Sequence, residues 1–512
     1  MRNRSFPRLG FLVSALLLAG GAAAIAACVG DEATGAATSQ GDDGGPGRDS
    51  AVGSGGDGGN GGTDSSVGAD GGACSCANAG AALSCSGTTT TCTYGCAEPT
   101  ATDPAHCRQF DPTGAIEPSD LVIAGLKDFS GKNLKFYTET GQITTDDAVT
   151  EIRAANADPT KEEITANGIG FRRVDGKVGI FQFKNLTIQA AESFHFNGAT
   201  GNVALALVAT EQITVEGKLE LGCFSTAGQL YGYAPAASHG AGGAGADGTG
   251  PGAGKVAAMV SGQLVAGGGG GSHSVSAGAG GGGLTSTSVT ASGGAAGTAY
   301  TDPGFDPPLG GSAGGGGMGS TGGAGGGAAQ LVAGVKITIG TGVGPDAGAF
   351  GAQQGINVGG CGGGAALNGG ASGGGSGGTI LLEAPEVVGM TNAGIASNGG
   401  GGGSSAGGDL ENHGSITAAN APGGAANVCY GAGGAGGAGA IGGLGAGPSG
   451  ASGVAGTTAC SGGSPAKYGG GGGGSVGFIR ILTATGDVTA AANFVISPSS
   501  APQLQKAKIA TR

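Results

Sequence analysis

The chain has 512 residues, among them 125 Gly and 19 Pro, carries a formal net charge of −13, and has 4% aromatic residues with no Trp. This composition speaks against a thick aromatic core and against nucleic acid or an anionic headgroup layer as a partner, while its many Val, Ile and Leu residues argue against a wholly solvated chain. Its 11 cysteines are read as one lipidated residue plus ten that pair, an even number suited to an oxidising compartment.

Residues 1–8 (MRNRSFPR) form a basic stretch and residues 9–27 an apolar one ending in small side chains, the pattern of a secretory leader. Its end, Ile25-Ala26-Ala27-Cys28, resembles the lipobox of bacterial lipoproteins, which implies a diacylglycerol thioether on Cys28 and a new N-terminus there. Val29, rather than Asp, follows the cysteine, which favours the outer membrane. Two or more acyl chains hold a protein stably on a membrane, each buried methylene contributing about 0.8 kcal/mol. The rest of 28–73 is Gly, Ser, Ala and Thr with Asp31, Glu32, Asp42, Asp43, Asp49, Asp57, Asp64 and Asp70 against a single Arg48. Such a linker repels itself and reaches roughly 35–40 Å.

Residues 74–112 form a cysteine module with Cys74, Cys76, Cys85, Cys92, Cys96 and Cys107 in the spacing C-x-C-x8-C-x6-C-x3-C-x10-C. So short a stretch cannot bury a core, so disulfides must staple it, in any of fifteen connectivities. Zinc, with His106 beside Cys107, is the rival reading, disfavoured by the absence of paired C-x2-C knuckles.

Residues 113–224 are ordinary in composition. Apolar alternation predicts short strands at 134–137, 178–183, 186–188, 203–208, 213–215 and 219–221, with Phe194 and Phe196 in another whose outward residue is His195. DDAVTEIRAAN (146–156) reads as the one helix of note. A strand–corner–strand unit recurs in 203–222, 328–344, 379–400 and 478–497. Units that cannot bury a face alone must stack, so 113–224 is expected to start, and the Gly-rich 225–512 to continue, a mainly β, irregular parallel β-helix or solenoid.

Gly-rich excursions at 225–327, 341–378 and 396–475 separate the units. Disorder is the simple reading, because Gly loses the most conformational entropy on ordering. Cys361, Cys429 and Cys460, and apolar islands such as KVAAMV (255–260), weigh against it. The ordered alternative is a set of extended helices with three residues per turn packed on one another, as Gly permits at crowded axes. Cys429 with Cys460, leaving Cys223 for Cys361, is one possible pairing.

Glycine motifs arise by chance in such a chain. The G-x-S-x-G matches at 310–314 and 370–374 do not sit between a strand and a helix, and GGAGADGTG (242–250) lacks the apolar residue and tandem copy of a calcium β-roll. No phosphate loop, metal site or cofactor is expected. The sharpest polar cluster is Asp409, Glu411 and His413, which share one face if the chain is extended there and so could ligate a cation or act as acid and base. A solvated corner is the plainer reading. Glu383 and Glu386 flank Ala384-Pro385 at a corner and are expected to face outward, and Asp302 and Asp306 read as turn residues.

The order of lipobox, acidic Gly/Ser linker, cysteine knot ending in DPAHC (103–107), GIFQFKNLTI, VALALVATEQITVEG and GGTILLEAP with poly-Gly between resembles Gly-rich surface lipoproteins of myxobacteria. The chain is PE-PGRS-like in glycine content only, having no matching N-terminal domain. The resemblance implies an envelope location and this architecture. The functional expectation is a non-enzymatic surface lipoprotein with a structural or adhesive role. Its partners would be the membrane through its lipid, and an extracellular polysaccharide or another surface protein. The alternative is a polysaccharide-binding or polysaccharide-cleaving β-helix, disfavoured as an acidic-glycan lyase by the near absence of Arg and Lys from 225–475.

Overall fold

The computed structural model describes residues 74–512 apart from 79–81, 86–87, 93–95, 101–102, 146–149, 175, 192–196, 224, 227–228, 231–237, 239, 261–264, 285–288, 301–305, 342–353, 367–368, 406–412, 416–420, 422, 424–431, 434–448 and 456–466. The leader, Cys28, the acidic linker, Phe194, His195, Phe196, Asp302, Asp409, Glu411, Cys429 and Cys460 lie outside the described residues. The fold is mainly β, with parallel and mixed sheets and no closed barrel. No α-helix occurs among the described residues.

The cysteine module is an antiparallel meander of Ser75–Ala77, Ala82–Cys85 and Thr88–Thr91, followed by a short pairing of Cys96–Ala97 with His106–Cys107. Its connectivity is Cys74–Cys85, Cys76–Cys96 and Cys92–Cys107. With all six thiols oxidised none remains to ligate zinc, and Cys92, Cys96 and Ala105 supply the small buried cluster.

The body is built from strands β1 (Phe129–Gly131), β2 (Leu134–Tyr137), β3 (Val178–Ile188), β4 (Asn197–Thr200), β5 (Ala204–Val215), β6 (Lys218–Glu220), β7 (Ala328–Ala333), β8 (Lys336–Ile339), β9 (Gln354–Asn357), β10 (Thr379–Glu383), β11 (Glu386–Gly389), β12 (Ala393–Ala396), β13 (Phe478–Thr483), β14 (Thr489–Ala490), β15 (Val495–Ser497) and β16 (Leu504–Lys508). The strands read at 178–183 and 186–188, and at 203–208 and 213–215, each run together into one longer strand.

Three parallel ladders organise these strands. The first runs β3, β5, β7, β10, β13, β16. The second follows the far half of β3 with β1 on one side, and on the other the far half of β5, then β8, β11 and β14. The third runs β2, β4, β6, β9, β12, β15. Because the register is preserved, like residues stack. Phe181, Leu207, Leu331, Leu382 and Ile481 form one row, and Leu186, Ile213, Ile337 and Val387 another. Leu219, Ile356, Ile395 and Ile496 form a third. All three rows belong to one core, with Ile496 partly buried at its edge. The recurrent sequence unit is thus one rung of each ladder, and its aliphatic face is what specifies register.

At the N-terminal end the pairing turns antiparallel. Gly170–Val174 pairs with β3, and Ile143–Thr145 joins β2 to Glu151–Arg153. The expected helix over 146–156 is therefore a strand at 151–153. The side chain of Arg153 explains the departure: it lies buried and donates to the carbonyls of Gly141 (2.8 Å), Ala154 (2.9 Å) and Glu163 (3.1 Å) and to Asn156 Oδ1 (2.6 Å). Burial pulls its pKa down from the ordinary guanidinium value, against the attraction of Glu163. An amphipathic helix would carry that guanidinium away from these carbonyls.

Candidate functional site

The Gly-rich excursions hold the most unusual chemistry, and their described parts are ordered. Successive N–H groups of the segment 267–272 point to three different neighbours in rotation. Gly267 and Gly270 donate to Gly281 and Gly278, Gly268 and Gly271 to Ala371 and Gly374, and Gly269 and Ser272 to Lys255 and Gly252, all at 2.8–2.9 Å. Its carbonyls accept from three more segments, through Gly294 and Gly297, Gly315, and Gly472 and Ser475. Segment 371–378 repeats the scheme. Ala371, Gly374 and Gly377 donate to Gly469, Gly472 and Ser475; Ser372, Gly375 and Gly378 to Gly364, Cys361 and Val358; Gly373 and Ser376 to Gly315 and Ser312.

A strand alternates with period two and an α-helix bonds within itself. A donor direction that recurs every third residue, always to another segment, belongs to the extended three-residue-per-turn helix. Each inner helix here has six neighbours. At Gly267, Gly270, Gly373 and Gly375 an added Cβ would overlap a carbonyl oxygen of a neighbouring helix, so glycine is required at such positions. The array buries few large side chains, Val265 and His273 among them, so most of its stability must come from backbone hydrogen bonds of about 1 kcal/mol net each, with Cα–H···O contacts adding to them. These offset glycine's entropy only because the ends are fixed. Segments 321–327, 370–378 and 469–477 run directly into β7, β10 and β13, while 358–364 and 397–405 run directly out of β9 and β12. Cys223–Cys361 adds a covalent tie, matching the pairing suggested from the sequence.

The serines that resemble nucleophile elbows belong to this array. Ser312 Oγ accepts the Gly252 N–H at 2.9 Å; Ser372 Oγ accepts the Gly317 N–H at 2.8 Å and meets Ser320 Oγ at 2.7 Å. Each hydroxyl replaces a backbone partner. Asp247 of the β-roll-like stretch accepts the Val256 N–H at 2.9 Å and the Lys255 ammonium at 3.0 Å, which together hold its carboxyl below the usual range. It closes a turn between two extended helices.

Of the polar cluster Asp409, Glu411 and His413, only His413 is described. Its Nδ1 accepts the Gly362 N–H at 3.0 Å, and burial, with a smaller push from Lys218, lowers its pKa to about 4. The ring is a neutral acceptor at the margin of the array. Glu383 contradicts the outward placement expected of it. It is fully buried and its Oε1 accepts the N–H (3.0 Å) and hydroxyl (2.7 Å) of Thr113, while Oε2 accepts Gln330 Nε2 at 2.7 Å. Burial raises its pKa, and the hydrogen bonds from Thr113 and Gln330 moderate the shift. The reason is a cover. Residues 110–121 lie across the outer face of the first ladder, where Phe110 and Ile116 pack on Val178, Ala206 and Leu381. Asp120 pins the same cover through Arg172 (2.7 Å) and Gln182 (2.8 Å). Glu386 does face outward and pairs with Lys336 at 3.3 Å. His413 and Glu383, both described, share no hydrogen-bond partner, while Asp409 and Glu411 lie outside the described residues.

Sequence reasoning missed His273, Glu220 and Asn357. His273 is buried between Tyr300 and Phe478 with Nδ1 2.8 Å from the Gly377 carbonyl, where the array meets β13. Glu220 and Asn357 are buried side by side on β6 and β9, bonded at 2.7 Å. The available signal was Lys218 and Glu220 two apart in a strand, on the face opposite Leu219. Among the described residues no group of three or more His, Cys, Asp or Glu is placed to hold a metal ion. No protein-family model, curated protein or solved structure matches this chain.

Proposed function

We propose that this chain is an envelope-anchored surface lipoprotein, held by a lipid on Cys28, that acts as a rigid extracellular scaffold for structural or adhesive contact. In this reading the three ladders are the faces of a parallel β-solenoid and the glycine array is a second body grown from its strands. The observation that carries it is the use of glycine: it is spent on a hydrogen-bonded lattice that fixes neighbouring helices against one another, which suits a spacer or platform. The outer helices support the same view. Ser292, Ala295 and Thr298 are exposed while Ala291, Gly294 and Gly297 face inward, so the surface of this helix repeats every three residues, uncharged and bearing hydroxyls. A neutral surface suits an uncharged glycan or a protein partner and gives nucleic acid nothing to hold.

The test is expression of wild type and Cys28→Ala in a Gram-negative host fed an alkyne fatty acid. Wild type takes up the label, stays with outer membranes and is shaved from intact cells by protease; the variant does none of these. The purified protein is then offered to a glycan array with a reducing-end assay. Release of reducing ends would replace the scaffold reading with a polysaccharide-cleaving one.

A further inference from the structure

Strands β6 and β9, on either side of the first long excursion, pair with Lys218 opposite Gly355 and Glu220 opposite Asn357. Leu219 between them points into the apolar core, so Lys218 and Glu220 project together from the other face. There the buried carboxylate of Glu220 bridges two side-chain nitrogens and one backbone N–H. Its Oε1 accepts Asn357 Nδ2 at 2.7 Å and the Gly222 N–H at 3.0 Å, and its Oε2 pairs with the Lys218 ammonium. The Asn357 carboxamide is 1% exposed and cannot turn: Nδ2 also reaches the Gly414 carbonyl at 3.2 Å, and Oδ1 accepts the Gly359 N–H at 3.2 Å.

We propose that Lys218 and Asn357 become joined by an intramolecular isopeptide bond, with Glu220 carrying the protons. Lys218 Nζ gives one proton to Glu220 and attacks Asn357 Cγ. Charge gathers on Oδ1, where the Gly359 N–H opposes it. The Cγ–Nδ2 bond then breaks, and Glu220 relays protons from Nζ to Nδ2. An ammonium and a carboxamide become a secondary amide and an ammonium ion, with no oxidant, reductant or co-reactant. The carboxylate touches both the attacking and the leaving nitrogen, the arrangement general acid–base catalysis requires, and fixed neighbours replace a bimolecular encounter.

Burial of Glu220 and Asn357, with Lys218 reaching in from a half-buried position, separates this triad from a second set of the same residue types. Asn185 Nδ2 donates to Asp128 and Glu211 at 2.8 Å, and Lys184 lies 3.6 Å from Glu211, but both partners of that ion pair are about half exposed and Lys184 is the sequence neighbour of Asn185. Water holds those charges, and a bond there would close only a strained local ring. The buried bond would instead span the two segments that Cys223–Cys361 also ties, closing the excursion covalently whatever the redox state.

The test is a tryptic map of the purified, fully reduced full-length protein by mass spectrometry. The expected result is a branched peptide in which the Lys218 and Asn357 fragments are joined with the loss of one ammonia, and no cleavage after Lys218. Lys218→Arg and Glu220→Gln each abolish the branched peptide. Succinimide formation at Asn-Gly pairs such as Asn398-Gly399 also releases ammonia, but it gives linear peptides, survives Lys218→Arg and is cleaved by hydroxylamine. A wild-type map with a linear peptide ending at Lys218 and an unmodified Asn357 peptide overturns the proposal, even if a variant fails to fold.

Discussion

Replacing Gly375 with Ala tests the glycine lattice at its centre. Gly375 is buried; its N–H donates to Cys361 at 2.8 Å and its carbonyl accepts from Gly400 at 2.9 Å. A Cβ there would overlap the carbonyl oxygen of Ala324 and lie 2.8 Å from that of Gly323. Both obstacles are backbone, so no side chain can swing aside. Relief requires one helix to shift, which costs about 1–3 kcal/mol for overpacking and about 1 kcal/mol for each hydrogen bond stretched, giving roughly 3–5 kcal/mol in all. Gly243 is the matched control. It is exposed, and an added Cβ meets only Ala246 Cβ at 3.7 Å, so Gly243→Ala should be neutral or stabilise by up to about 1 kcal/mol through the unfolded chain. Urea denaturation followed by circular dichroism compares the two. Equal midpoints for Gly375→Ala and Gly243→Ala would refute close backbone packing in the array.

Cys223→Ser with Cys361→Ser opens a loop of sequence separation 138 and should cost up to about 5 kcal/mol in the same assay; an unchanged midpoint would mean that the bond does not restrain the unfolded chain. His413 titrates at about 4 when folded, so the unfolded chain, with an ordinary value near 6.5, binds the proton more readily. The stability gained from keeping the ring neutral is therefore complete above about pH 6.5 and is lost towards pH 4, by up to about 3 kcal/mol, and His413→Gln should flatten that slope. Parallel stability–pH curves for the two proteins would contradict this. Glu383→Ala leaves the Thr113 N–H without its acceptor, at about 1–3 kcal/mol, and takes from Gln330 Nε2 one of two acceptors, the Thr113 carbonyl remaining, so it should loosen residues 110–121 enough for protease to cut there first. Retained protection of that cover would show that its apolar contacts suffice.

The parallel ladders were legible because Val, Ile and Leu recur at matching places in 203–222, 328–344, 379–400 and 478–497, and a buried face must repeat to stack. The tie of Cys223 to Cys361 was reached from the sequence only as the remainder once Cys429 was paired with Cys460. Helices of three residues per turn were open to the sequence as the ordered alternative for the excursions, but which neighbour each backbone faces was not, because glycine has no side chain to mark it; only scattered residues such as Ser312, Ser372 and Ser376 show the phase. The inward turn of Glu383 was hidden for another reason. Its partner Thr113 is 270 residues away, and nothing near Ala384-Pro385 announces that a distant segment covers that corner. Arg153 misled in the same way, since a charged residue in DDAVTEIRAAN reads as solvent-facing until the carbonyls that surround it are known. Lys218, Glu220 and Asn357 combine the two difficulties: the first pair is visible as strand alternation, but Asn357 joins them only after an excursion of more than a hundred residues.

Amide hydrogen exchange over residues 265–273, 370–378 and 469–477 tests the central claim most directly. Within these stretches the amides of 267–272, 371–378, 469–475 and 477 donate to carbonyls of other segments, so they should exchange as slowly as those of β7 and β10, and only through cooperative opening. Exchange at the rate of an unstructured glycine chain, with β7 and β10 still protected, would contradict the lattice and return the excursions to flexible coil.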